Sequence, residues 1–282
     1  MAFSSIEGLL SAAADRPLWE AVLEDDRADR GSDRAASWDK MSRLWAAMKE
    51  PIDSYDPARR SHSGLTGGEG ALLEGPGPGL CPPFLRAVIA AALKTGECNA
   101  CMGRIVAAPT AGASGVLPAV LLPLQRRDGR EDGEMIRALY VAAGFGQVIA
   151  KRSSIAGAEG GCQAEVGSAS GMAAAALVQV MGGTAEQMAH ACAIALSNTL
   201  GLVCDPVAGL VEVPCVKRNV MGAVNAMSCA DMALAGLEGG IPCDEVIDAM
   251  AAVGRAMPPS LRETGEGGLA ATPTGRKIAA GH

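Results

Sequence analysis

Three cysteines stand in surroundings that a packing thiol does not need: Gly160-Gly-Cys162-Gln, Val203-Cys204-Asp-Pro206 and Val213-Pro-Cys215-Val. Each stretch is marked by Gly, Pro or polar residues and falls where a helical pattern breaks. Thiolates that converge on iron need loops of this kind, because helix interiors leave no N–H free to stabilise the charge on sulfur. Such a set points to iron–sulfur chemistry. Two readings compete with it. Cys98-Asn-Ala-Cys101 is a C-x-x-C of the sort that binds zinc or runs thiol exchange, although no second pair or histidine pair completes it and packing is its default role. Alternatively all nine cysteines pack as small hydrophobes in a metal-free bundle, the role assigned in any case to Cys81, Cys192, Cys229 and Cys243 in or beside apolar helical patterns.

The elements that position these residues are helices. Hydrophobic residues make up 49% of the chain and aromatics only 3%, with 36 glycines, so Ala, Leu, Val, Ile and Met must fill the core. That composition favours close-packed helices over sheet. Residues 1–50 are charged, with apolar residues at helical spacing (Ile6, Leu9, Leu10; Leu18, Val22, Leu23; Met41, Leu44, Met48), and read as peripheral amphipathic helices around a helical core, 51–282. Residues 51–83 are rich in Gly, Pro and Ser and read as a long ordered loop, which is usually functional. Helical patterns follow at 84–95, 135–151, 169–181, 185–203, 220–237 and 243–257, with a polar loop at 126–134. The run from Ala107 through Val116 reads as a tight turn opening a helix. No Lys or Arg occurs between Arg152 and Lys217, so this segment is withdrawn from the surface and its cysteines are shielded.

At 282 residues the chain can bury a large core without staples. A formal charge of −7 offers no basic footprint for nucleic acid or an anionic membrane. The uncharged stretches 166–185 and 187–204 approach membrane-spanning length, but Ser168, Ser170, Gln179, Gly182-Gly183, His190, Ser197 and Asn198 interrupt them, and neither has basic flanks or an aromatic belt. Both are expected to be helices buried in protein. The first ten residues lack a basic start and a sustained apolar run, and the cysteines are odd in number and scattered, so reduced thiols in a cytoplasm are expected.

The text around the three cysteines resembles the α chain of the iron–sulfur L-serine dehydratases: Ser154-Ile-Ala-Gly-Ala-Glu-Gly-Gly-Cys-Gln-Ala-Glu-Val-Gly-Ser168, then Gly201-Leu-Val-Cys-Asp-Pro-Val-Ala-Gly-Leu-Val-Glu-Val-Pro-Cys215, a C-x41-C-x10-C separation. Ser63-Gly-Leu-Thr-Gly-Gly68, Asn99-Ala-Cys-Met-Gly-Arg-Ile-Val-Ala-Ala-Pro-Thr-Ala-Gly112, Ser114-Gly-Val-Leu-Pro118 and Gly267-Gly-Leu-Ala-Ala-Thr-Pro-Thr-Gly275 are similar to the same family, so the resemblance covers nearly the whole chain. It implies an all-α fold, a single globular helical domain spanning 1–282 whose long Gly/Pro-rich loops hold an oxygen-sensitive 4Fe–4S cluster on Cys162, Cys204 and Cys215. The family usually has an aliphatic residue at Cys98 and a small one at Cys101, which makes the C-x-x-C incidental. The expected reaction is the lysis of L-serine to pyruvate and ammonia, a step of amino-acid catabolism that feeds gluconeogenesis, with no pyridoxal phosphate. Single-chain relatives carry a fused second domain, whereas this chain starts at the α part, so a separate β subunit and an oligomer are expected.

Three thiolates on four irons leave one iron open, which suits a Lewis acid acting on the serine hydroxyl. The substrate carboxylate needs N–H and O–H donors, and the two Gly-rich runs supply a nest and a helix start, so Ser63, Thr66, Gly67, Asn99 and Thr110 are the expected substrate-binding residues. His62, beside that loop, is the candidate base, with the β subunit as the other source. His190, four residues after Glu186 on an apolar helix, is read as a satisfied histidine, and Lys151 and Arg152 as helix-capping or substrate-facing. A cluster-dependent cysteine desulfidase and a non-catalytic iron–sulfur sensor or scaffold are the alternative functions.

Overall fold

Small side chains decide how closely the helices of this chain approach. The computed structural model describes residues 3–75 and 79–281. The middle of Gly75-Pro-Gly-Pro-Gly79, part of the expected loop, therefore lies outside the described residues, as do the first two residues and the last. The helices, in chain order, are α1 (Ile6–Ala12), α2 (Leu18–Arg30), α3 (Arg34–Asp53), α4 (Glu69–Leu72), α5 (Pro83–Ala100), α6 (Val116–Asp128), α7 (Asp132–Arg152), α8 (Gly157–Gly160), α9 (Ser168–Val180), α10 (Ala185–Ser197), α11 (Cys215–Leu234), α12 (Cys243–Ala256) and α13 (Pro273–Ala279). Among the described residues there is no sheet, only an isolated parallel bridge between Cys204 and Arg262. The fold is all-α, as the composition and the resemblance imply.

Helix α9 is the hub. Its sequence SASGMAAAALVQV is buried on nearly every face, and it packs against α6, α7, α10 and α11 at once. Alanine permits this, because it forms helix well and adds little girth. Glycines on the neighbours do the rest: a Cβ on Gly146 of α7 would stand 2.8 Å from Met172, and one on Gly222 of α11 2.7 Å from Val166. Helices α1–α3 pack against this assembly and place Ile6, Leu9, Leu23 and Trp45 inside the same apolar core. No helix among the described residues is long and apolar enough to cross a membrane, and both weighed stretches are broken by turns.

Several boundaries differ from the sequence reading. Helix α3 runs through Pro51 to Asp53, because Ile52 and Pro51 itself bury against the core. The polar loop at 126–134 shrinks to 129–131, since α6 extends to Asp128 and a Glu131/Glu134 capping box starts α7. Helix α10 stops at Ser197 rather than 203, where a turn reaches the left-handed Gly201. Helix α11 begins five residues early, at Cys215, directly after Pro214, which brings no N–H that needs a partner at a helix start.

Candidate active site

The three cysteines arrive on different local structures. Cys162 follows α8 and the left-handed Gly161, and opens a π-helical turn, Gln163–Gly167, that runs into α9. Buried Gln163 fixes this turn: its amide donates to Met250 O on α12 at 3.0 Å, and its carbonyl accepts from Gly201 N at 2.8 Å. Cys204 sits on the extended segment after α10, with its N–H on Leu261 O (2.9 Å) and its carbonyl accepting from Glu263 N (2.8 Å). Cys215 is the first residue of α11. It therefore lies at a helix start, not in a break between helices.

The chain is tightly turned here. Ala208 (φ 56°) and Glu263 (φ 64°) both occupy left-handed backbone that L side chains rarely adopt. Strain of this kind persists only where surrounding structure imposes it, and it clusters at functional sites.

The thiols lie within electrostatic range of one another. Burial, and then the charge of Arg218 and Glu165, act on Cys162, whose thiol is pushed up to about 11. Cys215 is pushed up to about 12 by burial and by Cys162 and Glu165. Cys204 is raised furthest, by burial and by the facing charges of Cys162, Glu165, Glu263 and Cys215. Thiols that resist losing their protons, Cys162 and Cys204 buried and Cys215 half-buried, become thiolates only when a cation compensates.

Donors for those thiolates are in place: the Val166 N–H and the Arg218 guanidinium address Cys162, and the N–H of Cys215 addresses its own sulfur. Arg218 also donates to Val203 O (2.7 Å) and pairs with buried Asp205 (2.7 Å), whose other oxygen accepts from Leu269 N at 2.7 Å. A side chain on Gly268 would strike that carboxylate, so glycine in the 267–275 motif is needed to let the backbone reach Asp205.

Among the described residues no group of His, Cys, Asp or Glu is drawn together tightly enough for a single metal ion. A cluster differs, because it spreads its ligands over several irons and they stand farther apart. What the centre offers is three thiols within electrostatic range, an amide and a guanidinium beside Cys162, and a backbone that comes close. That approach occurs at Gly157, where a Cβ would meet Glu165 Oε2 at 2.7 Å, Glu263 Oε2 at 3.0 Å and Cys204 Sγ at 3.1 Å.

Two Gly-rich loops close on this centre. In the turn before α6, Thr110 donates to Glu165 Oε1 at 2.7 Å, while Asn219 of α11, only 1% exposed, holds the same turn through Gly112 O (2.8 Å) and Gly115 N (2.9 Å). Burial and the nearby Glu263 raise the Glu165 carboxyl above its ordinary value, against the Thr110 hydrogen bond. In the other loop, Ser63 donates to Glu212 Oε2 at 2.6 Å, three residues before Cys215. Thr66 is buried, and its hydroxyl has no hydrogen-bond partner among the described residues. A Cβ on Gly67 (φ 131°) would run into Arg59 O, so no side chain fits there.

The remaining expected residues lie at the edge. His62 is exposed, and Asn99 is half-buried on the last turn of α5; no hydrogen bond among the described residues joins either side chain to the thiols. Cys98 and Cys101 lie on and just after that turn, beside Tyr55, Arg59 and Glu97. His190 accepts from Gly239 N (3.3 Å), and Arg152 is engaged by Asp244 and Asp248 at the surface. Sequence reasoning missed Glu165, Asp205, Glu212, Arg218 and Asn219. A signal existed for three of them: the stretch without Lys or Arg holds only five acids, and Glu165, Asp205 and Glu212 are among them.

Fold and site together define an all-helical protein with a buried centre of thiols and carboxyls, fed by two Gly-rich loops. The sequence profile of the family described as serine dehydratase alpha chain matches residues 13–270, and the chain belongs to that family. It is 59% identical over 241 residues to the probable L-serine dehydratase alpha chain of Bacillus subtilis, covering 84% of this chain and 79% of that one. The probable alpha chain of Latilactobacillus sakei is 60% identical over 184 residues (65% and 88%), and the L-serine dehydratase alpha chain of Peptoniphilus asaccharolyticus 53% over 202 residues (72% and 69%).

Proposed function

We propose that this chain is the α subunit of an L-serine dehydratase that converts L-serine to pyruvate and ammonia, using a 4Fe–4S cluster held by Cys162, Cys204 and Cys215. The observation that supports the proposal is that these three thiols come from separate segments to within electrostatic range of one another and of Glu165, whose Oε2 lies 3.9 Å from Cys204 Sγ. The alpha-chain names of its relatives support a separate β subunit as partner. When bound, the cluster supplies an iron without a protein ligand, a Lewis acid for the departing β-hydroxyl.

The chain's own residues bind and orient the substrate. The Gly67 and Gly68 amides and the buried Thr66 hydroxyl receive the carboxylate, beside Asn99 and the turn that carries Thr110. Gly67 lets the loop backbone come close, and Ser63 holds the loop in place. His62 takes the α-proton at the rim. Removal of that proton and loss of the hydroxyl give aminoacrylate, which hydrolyses to pyruvate and ammonia. Glu165, held by Thr110, keeps the turn before α6 against Cys204.

The test is anaerobic purification and reconstitution, followed by iron and sulfide analysis and a visible spectrum. Wild type and Cys98→Ala are expected to hold an air-labile four-iron cluster, and Cys162→Ala, Cys204→Ala and Cys215→Ala to lose it. Iron that survives all three changes, or that depends on Cys98, would overturn the ligand set. Pyruvate release from L-serine, with and without the β chain, separates the dehydratase from a sensor. Sulfide release from L-cysteine marks a desulfidase. In His62→Gln, a large loss of kcat with L-serine binding kept supports the base, and wild-type turnover transfers the role to the β subunit.

A further inference from the structure

The segment 55–69 is fastened like an Ω-loop, a surface loop whose ends lie close together. Both ends meet one buried carboxylate on α5: Glu97 accepts from the Tyr55 hydroxyl and, at 2.9 Å, from Glu69 N. The middle is fastened separately. Glu212, 6% exposed, accepts at one oxygen from Ser61 (2.7 Å) and Ser63 (2.6 Å), whose hydroxyls lie 3.1 Å apart. Those hydroxyls also order the loop itself, Ser63 accepting from Leu65 N at 3.1 Å and Ser61 from Thr66 N at 3.4 Å. On its other side Glu212 is continuous with the thiol centre, since its carbonyl accepts from Val216 N (3.0 Å) in the first turn of α11, next to Cys215.

We propose that Glu212 is a positioning residue whose carboxylate, clamped by the Ser61 and Ser63 hydroxyls, sets the register of the 61–68 loop against Cys215. The inference rests on the functional reading above for what the loop binds, and it gives the two serines a task other than touching substrate. Three facts favour a clamp over ordinary packing. A buried carboxylate needs donors, and two side chains from a segment about 150 residues away supply them. Hydrogen bonds to a charged group are the stronger kind. The same two hydroxyls take the Leu65 and Thr66 N–H groups, which fixes the turn leading to Gly67 and Gly68.

The experiment compares Glu212→Gln, Ser63→Ala, Ser63→Thr and the double variant Ser61→Ala/Ser63→Ala with wild type, as α chain combined with its β subunit. Hydrogen exchange of the 61–68 amides is read beside iron content, unfolding midpoint, and KM and kcat for L-serine. The double variant is expected to exchange about tenfold faster or more in 61–68 while the helix amides keep their protection, with iron kept, the unfolding midpoint lowered because a buried carboxylate loses its donors, and KM raised about tenfold while kcat changes less. Ser63→Thr, which keeps the hydroxyl, restores both values. Unchanged exchange in 61–68 for both Glu212→Gln and the double variant would overturn the clamp. Faster exchange spread over the whole chain would also overturn it, by reducing the contact to general stability. If wild type turns over no L-serine, the functional reading falls, and the exchange arm still decides the clamp.

Discussion

Asn219→Ala removes the side chain that ties the Thr110 turn to the helix carrying Cys215. Asn219 accepts from Gly115 N at 2.9 Å and donates to Gly112 O at 2.8 Å and Cys215 O at 3.0 Å. The last of these carbonyls sits inside α11, where the helix ladder still serves it, so two backbone groups lose their partner. An unpaired buried polar group costs about 1–3 kcal/mol, so taking about 1.5 for each gives a loss near 3 kcal/mol. With a urea slope of about 3 kcal/mol per molar, the unfolding midpoint falls by about 1 M. Asn219→Leu separates causes, because it fills the space without pairing either group, and it is expected to lose about as much. A midpoint for Asn219→Ala within roughly 0.15 M of wild type, inside the scatter of ordinary surface changes, would refute the accounting. Full recovery in Asn219→Leu would show that the cost was an empty space and not hydrogen bonding. Thr110 should also be released from Glu165, lowering turnover of L-serine while iron content stays.

Gly157→Ala places a methyl 2.7 Å from Glu165 Oε2 and 3.1 Å from Cys204 Sγ, so iron content per chain is expected to fall while the helical circular dichroism is unchanged; full iron loading would refute the close approach. The metal-free, reduced chain is expected to lose stability in alkali. Burial raises the folded thiols of Cys162 and Cys215 to about 11 and 12, so the folded chain holds their protons more tightly than the unfolded chain. That stability is full below about pH 8.5, the ordinary thiol value, and drains by about 1.4 kcal/mol per pH unit per thiol as pH rises toward the folded values. Urea unfolding at about pH 8 and pH 10.5 checks this, and a loss equal to that of a triple Cys→Ala variant would refute it. Ala174→Leu, at a fully buried position of α9, should cost about 1–3 kcal/mol by overpacking, measured by the same unfolding; a neutral result would mean that α9 is not confined.

The sequence by itself determined the fold class and the thiols worth watching. Alanine and glycine in place of aromatics favour closely packed helices, and Gly161 before Cys162, Pro206 after Cys204 and Pro214 before Cys215 mark where helices start or stop. Local chemistry of this kind is written in neighbouring residues. Tertiary structure decided the rest. Cys162 and Cys204 are separated by 41 residues, and nothing local says that α10 must end at Ser197 for the chain to return past the π-helical turn. The partners of Glu212 lie about 150 residues away, and Asn219 reads as an ordinary helix position until α6 is packed beside it. Ser63 shows the difference most plainly: its Gly-rich neighbours suggest an anion-binding loop, but its hydroxyl is given to a carboxylate of the same chain. A hydrogen bond is chosen by which groups packing leaves without water, and only the folded chain makes that choice.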